Sequence, residues 1–170
     1  MPAYVIDTNV GVVANGRNCP QADVACRLAC IEKLKECVEI LNNKKQGYVI
    51  IDSGNEIFEE YKSYFNFSGQ SGTGDMFFRV LDQRRFSTNN CEQVKINKDE
   101  IWGYEEFPHD EDLRDFDPPD RKFVAVAIQS QNSPVILNAT DSDWREYKKA
   151  LNKYVNIEEL CPNCLRNSRQ

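Results

Sequence analysis

The 170-residue chain predicts an α/β fold, a three-layer α/β/α sandwich around a central, mainly parallel sheet. Three observations carry this expectation. Tyr4-Val5-Ile6, Tyr48-Val49-Ile50-Ile51 and Pro134-Val135-Ile136-Leu137 are short apolar runs rich in β-branched residues, the composition of strands covered on both faces. Helix-periodic segments separate them, the alternation that gives parallel strands joined by helical crossovers. Each run is followed by an acid or an amide, as where a strand meets an open sheet edge, and in such sheets that edge binds ligands.

In chain order, the first strand ends at Asp7, and residues 11–20 read as a turn region. A helix is expected over 21–43, with Ala22, Cys26, Ala29, Cys30, Leu34, Cys37, Val38 and Leu41 near one face, stopped by Lys44-Lys45-Gln46-Gly47. The second strand, 48–52, leads into a helix opened by Ser53-Gly54-Asn55-Glu56 and reaching residue 65. A Gly/Ser-rich connector, 68–74, precedes a helix over 75–85; its Gly72-Thr73-Gly74 lacks the Gly-Lys-Ser/Thr ending of a phosphate loop. Gln93-Val94-Lys95-Ile96 alternates as a strand exposed on one side. Residues 98–117 form an acidic, aromatic insert, read first as a solvated loop, with a flap over the site or a partner-binding surface as alternatives. Asp117-Pro118-Pro119-Asp120 starts a helix to residue 129, since proline is tolerated just inside a helix start. A strand at 134–138, a helix opened by Ala139-Thr140-Asp141-Ser142-Asp143-Trp144 and running to 154, and a strand at 155–157 complete a domain over 1–158. Residues 159–170 read as a disordered tail.

A chain of this length buries a core without covalent staples, so disulfides are not required. Met1-Pro2-Ala3 leads into the first strand with no leader, and no apolar run approaches the roughly 18 residues of a membrane span, so a soluble, cytoplasmic protein with no membrane partner is expected. The seven cysteines read as core thiols of a reducing compartment. Cys161-Pro162-Asn163-Cys164 is half a zinc site, whose other ligands would have to come from Cys19, Cys91 or His109. A net charge of −6 argues against broad, sequence-blind binding of nucleic acid. It does not exclude a nuclease, because a loaded metal site neutralises its own carboxylates, and Lys44-Lys45, Arg84-Arg85 and Lys148-Lys149 are basic pairs able to touch a backbone.

Asp7, Glu56, Asp120 and Asp141 stand out because the topology sends all four to one rim. Each has an ordinary explanation. Asp7 fits an Asx turn, Ser53-x-x-Glu56 a capping box, Asp120 a helix dipole, and Asp141 or Asp143 a helix cap. Together they need something more, since crowded carboxylates raise one another's pKa unless a cation joins them. An all-oxygen set is the chemistry of Mg²⁺ or Mn²⁺ rather than of zinc. Glu59 and Glu60 lie within about one helical turn of Glu56 and compete with it, as Asp117 competes with Asp120.

Four segments in order resemble the PIN domain family of metal-dependent ribonucleases: Val5-Ile6-Asp7-Thr8-Asn9, a Glu opening the helix after the second strand, Asp120 followed by Phe123-Val124-Ala125-Val126-Ala127, and Leu137-x-x-Thr140-Asp141-x-Asp143-Trp144. The resemblance covers residues 4–154. It implies that Asp7, Glu56, Asp120 and Asp141 hold one or two Mg²⁺ or Mn²⁺ ions, with Asp143 an auxiliary acid and Thr8, Asn9 and Thr140 supporting or substrate-facing groups. The activity implied is endoribonuclease hydrolysis of single-stranded or structured RNA, leaving a 5′-phosphate and a 3′-hydroxyl. Many small relatives are toxins, so an antitoxin or other regulatory protein is an implied partner beside the RNA, and a homodimer is a further candidate.

Other classes compete. A phosphotransferase of the haloacid dehalogenase kind would use Asp7, but wants a second Asp where this chain has Asn9. A phosphoreceiver module would use Asp52, but no matching lysine follows a late strand. A PIN-like scaffold that binds RNA or protein without cutting is favoured if Glu56 or Asp120 turns away from the rim. A serine–histidine nucleophile is excluded, since the one histidine, His109, sits in the insert.

Overall fold

The computed structural model describes residues 1–16, 22–87 and 89–164. In chain order the elements are β1 (Ala3–Ile6), α1 (Thr8–Asn15), α2 (Val24–Leu41), β2 (Tyr48–Asp52), α3 (Glu56–Tyr64), α4 (Thr73–Arg84), β3 (Cys91–Val94), a small hairpin of β4 (Lys98–Asp99) and β5 (Gly103–Tyr104), α5 (Arg121–Gln129), β6 (Val135–Asn138), α6 (Ser142–Glu146), α7 (Lys148–Leu151) and β7 (Asn156–Glu159). Five strands form one sheet in the order β3-β2-β1-β6-β7, and every pairing in it is parallel. Tyr4 of the central strand stands opposite Val49 on one side and Val135 on the other. Because parallel crossovers are right-handed, the reversal of strand order at β1 sends the early helices to one face and the late ones to the other. Accordingly α1, α2 and α4 pack on one another, while α5 packs on β1, β2 and β6. The result is the α/β/α sandwich that the apolar runs predict. Among the described residues, no helix is long and apolar enough to cross a membrane.

Residues 11–15 depart from the expected turn: they belong to the helix α1. Asp7 caps α1 by accepting the Asn9 N–H at 3.1 Å. Gly11 argues against a helix in the sequence, yet its missing side chain is what lets the Phe65 ring lie against α1, because a Cβ there would collide with that ring. Gly16 ends the helix at φ +72°, a left-handed cap whose N–H reaches Val13. Along α2, Cys26, Cys30, Leu34, Cys37 and Leu41 are buried as their spacing predicts. The third strand falls two residues earlier than expected, pairing Cys91 with Val49. Pro118–Asp120 forms a tight 3₁₀ turn, and α5 begins directly after it.

The insert is not a solvated loop. Tyr104, Phe107, Leu113 and Phe116 are buried, and Phe116 sets its ring edge-on to Trp144 at 5.1 Å and to Tyr147 at 5.6 Å. The buried Arg121 guanidinium donates to the carbonyls of Arg114 and Phe116, tying the insert to the start of α5. Polar residues dominate the insert's sequence because they cover a few large aromatic side chains that carry the packing.

The expectation of core thiols holds for the buried Cys37 and Cys91 but not for Cys26. Cys26 is joined to Cys161 by a disulfide across a sequence separation of 135. The edge strand β7 delivers Cys161, buried, onto the start of α2, so 159–164 are part of the fold rather than a tail. Cys19 and residues 165–170 lie outside the described residues.

Phe116→Ala tests the packed insert. Loss of a fully buried phenyl ring should cost about 3–5 kcal/mol in urea unfolding, whereas a position in a solvated loop would change stability by about 0.5 kcal/mol or less.

Candidate metal centre

Asp7 follows the last residue of β1, Asp141 lies three residues beyond β6, and Asp120 immediately precedes α5. All three therefore stand at the carboxyl edge of the sheet, where the strand order reverses between β1 and β6. One oxygen from each falls within 4.8 Å of the others. Asp7 is 4% and Asp120 6% exposed, with Asp141 half-buried. They line a cleft of about 490 Å³ together with Thr8, Asn9, Val12, Glu60, Tyr64, Asp117 and Pro119.

Backbone and amide contacts set the spacing. The Asp7 N–H donates to Leu137 at 3.1 Å, joining the two central strands at their ends. Asn9 donates from Nδ2 to Asn138 Oδ1 (2.9 Å) and accepts the Ala139 N–H (2.7 Å). Asn138, fully buried, in turn donates to the Asp141 carbonyl (2.9 Å). Asn9 is thus a clamp between β1 and β6, holding Asp7 and Asp141 at a fixed separation. Asp141 caps α6 through the Asp143 N–H (2.9 Å). Asp7 Oδ2 accepts the indole N–H of the buried Trp144 at 2.5 Å.

Burial is the largest influence on Asp7 and raises its carboxyl to about 7, aided by the charges of Asp141 and Glu60 and opposed by its bonds from Asn9 and Trp144. Burial likewise pushes Asp120 up to about 9, with Asp7, Asp141 and Asp117 adding to it. Burial and then Asp141 raise Asp143.

Of the competing glutamates, the cleft receives Glu60. Glu56 is not brought to the cluster, which corrects its assignment as a ligand. It pairs with Lys98 at 3.0 Å and accepts from Tyr104 at 3.4 Å, both from the β4–β5 hairpin. Nor does Glu56 close a capping box, because Asp52 caps α3, accepting the N–H groups of Glu56 and Ile57 at 2.8 Å each. Glu59 points to solvent beside Lys62. Glu60 accepts the Thr8 hydroxyl (2.5 Å) and pairs with the buried ammonium of Lys122, which also donates to Pro119. Helix geometry holds a signal for this choice. At about 100° per residue, Glu60 lies about 60° round from the buried Ile57, Glu56 about 100° and Glu59 about 160°. Asp117 sits on the cleft wall and Asp120 in the cluster. Thr140 and Asp143 are half-buried beside Asp141 and do not line the cleft. Sequence reasoning missed Lys122, Asn138 and the hydrogen bond from Trp144.

The donor set fits a hard divalent cation. It consists of carboxylate oxygens, and Asp120 Oδ2 is buried with no hydrogen-bond partner among the described residues, an arrangement costly for a carboxylate unless a cation or a proton meets it. Scans of protein-family models, curated proteins and solved structures find no match to this chain.

The raised carboxyls make stability depend on pH. Asp7 and Asp120 bind protons more tightly folded than unfolded, so their contribution is full below about pH 4 and is lost as pH rises through about 7 and about 9. In EDTA the melting temperature should therefore fall across this range, less steeply for Asp120→Asn. Mn²⁺ should raise it more near the alkaline end than at about pH 5, where protons compete for the ligands. A metal-free melting temperature that climbs steadily from about pH 5 to about pH 9 would contradict the assignment.

Proposed function

We propose that this chain is a PIN-like, metal-dependent endoribonuclease that hydrolyses RNA phosphodiesters. One observation carries the reading: three carboxylates from three separate segments converge within 4.8 Å at the strand-order reversal. Asp7, Asp120 and Asp141 would hold Mg²⁺ or Mn²⁺, which when bound supplies Lewis acidity toward phosphate and activates water. The chain's own groups do the positioning. Trp144 and the Asn9 N–H orient Asp7, and the Asn9–Asn138 pair fixes its distance from Asp141. Lys122 and Thr8 hold Glu60 at the cleft wall, one on each carboxylate oxygen. A cleft of about 490 Å³ is roomy enough for a nucleotide unit. The toxin or defence setting, with an antitoxin-like protein or a second copy as partner, belongs to this same reading.

Each competing class wants a group that this rim does not offer. Asp52, which a phosphoreceiver would phosphorylate, is fully buried and committed to the α3 amides. Asn9 occupies the place of a second dehalogenase-type Asp and is engaged with β6. One observation favours a scaffold that binds RNA without cutting, namely the engagement of Glu56 outside the cleft. Against it, Glu60 stands at the cleft wall where Glu56 does not.

The deciding assay incubates a pool of cellular RNAs with the protein and Mg²⁺ or Mn²⁺, then with EDTA. EDTA should abolish cleavage, and Asp7→Asn or Asp120→Asn should lower it by about 100-fold or more. Glu60→Gln should reduce the rate by about 10-fold or more, with Glu56→Gln within about threefold of the parent. Cleavage that survives both EDTA and Asp7→Asn refutes the mechanism; RNA binding without any cleavage supports the scaffold instead.

A further inference from the structure

Away from the cleft, four cysteines gather where α2 begins and the chain leaves the sheet. Cys26 and Cys30 are one turn apart on α2, Cys161 follows β7 by two residues, and Cys164 comes three residues later. The sulfurs of Cys26, Cys30 and Cys161 lie within 4.8 Å of one another, and all three residues are sealed from solvent. Cys30 Sγ stands 3.9 Å from Cys161 Sγ, outside the Cys26–Cys161 disulfide. The half-buried Cys164 is on the same turn, with its N–H donating to the Cys161 carbonyl at 3.1 Å. It lines one small cavity of about 80 Å³ with Cys26 and Cys161.

We propose that, in the reduced chain, Cys26, Cys30, Cys161 and Cys164 bind one Zn²⁺ as four thiolates, clamping α2 to the C-terminal segment. Zinc–thiolate bonds of about 2.3 Å in a tetrahedron put ligand sulfurs about 3.8 Å apart. The 3.9 Å between Cys30 and Cys161 meets that spacing, leaving Cys164 to rotate inward from its cavity. The Cys-x₃-Cys of the helix and the Cys-x₂-Cys of the turn each present two sulfurs on one side of their own element. Cys26 is the third residue of α2, where the helix dipole favours a thiolate. Arg145 donates to the Pro162 carbonyl at 3.1 Å and sets a positive charge beside a site of net charge −2. Sulfur donors select a soft cation, so this site and the carboxylate cluster differ in the metal they take.

A dithiol reductant gives two electrons and two protons to the Cys26–Cys161 bond, yielding two thiols and its own disulfide. Zn²⁺ then displaces the four thiol protons to solvent. Of the ligands expected for Cys161 and Cys164 from the sequence, Cys91 is on the opposite edge strand and His109 stacks on Trp102 at 5.3 Å, while Cys19 lies outside the described residues.

The full chain, purified under a phosphine reductant, is analysed for zinc by mass spectrometry and titrated with Co²⁺ after the zinc is removed. About one zinc per chain is expected, together with the sulfur-to-metal charge-transfer and tetrahedral visible bands of a cobalt thiolate. Cys30→Ser and Cys164→Ser should each weaken retention against a competing chelator by about tenfold or more, while Cys91→Ser and Asp7→Asn leave it unchanged. Circular dichroism establishes that each variant is folded, and the cobalt spectrum of the parent chain needs no variant. A reduced parent chain that shows no cobalt thiolate bands overturns the proposal, as does full zinc retention in either serine variant or loss of zinc in Asp7→Asn.

Discussion

Burial and crowding of Asp7, Asp120 and Asp141 at one edge is the constraint around which this fold is arranged. Three carboxylates whose oxygens meet within 4.8 Å at a largely buried edge are unfavourable in their charged state, and the rest of the rim holds them there regardless. The backbone does most of this. β1 and β6 are neighbours in register, and the Asp7 N–H to Leu137 bond extends their ladder to the acid itself. The Asn9–Asn138 clamp then prevents the two strand ends from splaying to relieve the charge. Rigid packing converts what would be a local relaxation into a standing demand for protons or a cation.

The contrast with Asp52 explains why strand-end acids are ambiguous in a sequence. Asp52 ends β2 as Asp7 follows β1, and it is more deeply buried, at 0% exposed. Yet two backbone N–H groups at the start of α3 satisfy it. A cap of that kind occupies both carboxylate oxygens and leaves nothing for a ligand. Asp7 is also a cap, but its neighbours across the sheet edge are acids rather than amides. What separates a structural carboxylate from a ligand is the chemistry of residues more than a hundred positions away.

The strands were legible because burial on both faces leaves them few residue types, and the long helix α2 because its cysteines and leucines repeat at the spacing of one face. Asp7, Asp120 and Asp141 were legible for the same reason, since topology alone sends strand ends to one edge. α1 was hidden by Gly11, whose function is a close approach to Phe65 that a local reading penalises. Glu60 was hidden by a preference for the glutamate nearest the helix start, although the angular position of Ile57 favours it. The Cys26–Cys161 link, by contrast, left no local trace, because it depends on which edge of the sheet β7 joins.

The acidic insert bears on two features of the site that the sequence did not show. Its hairpin contributes Lys98 and Tyr104, which draw Glu56 out of the cleft and leave Glu60 as the glutamate at the wall. Its buried Phe116 packs edge-on against Trp144, and Trp144 donates to Asp7. Arg121 carries the same segment into α5, the helix that Asp120 precedes. A segment whose composition reads as solvent-exposed therefore braces two of the three clustered acids from behind. A loop able to swing over the cleft would have to break the Phe116–Trp144 contact and expose two large aromatic surfaces, so the packing identifies the insert as a support of the site rather than a lid.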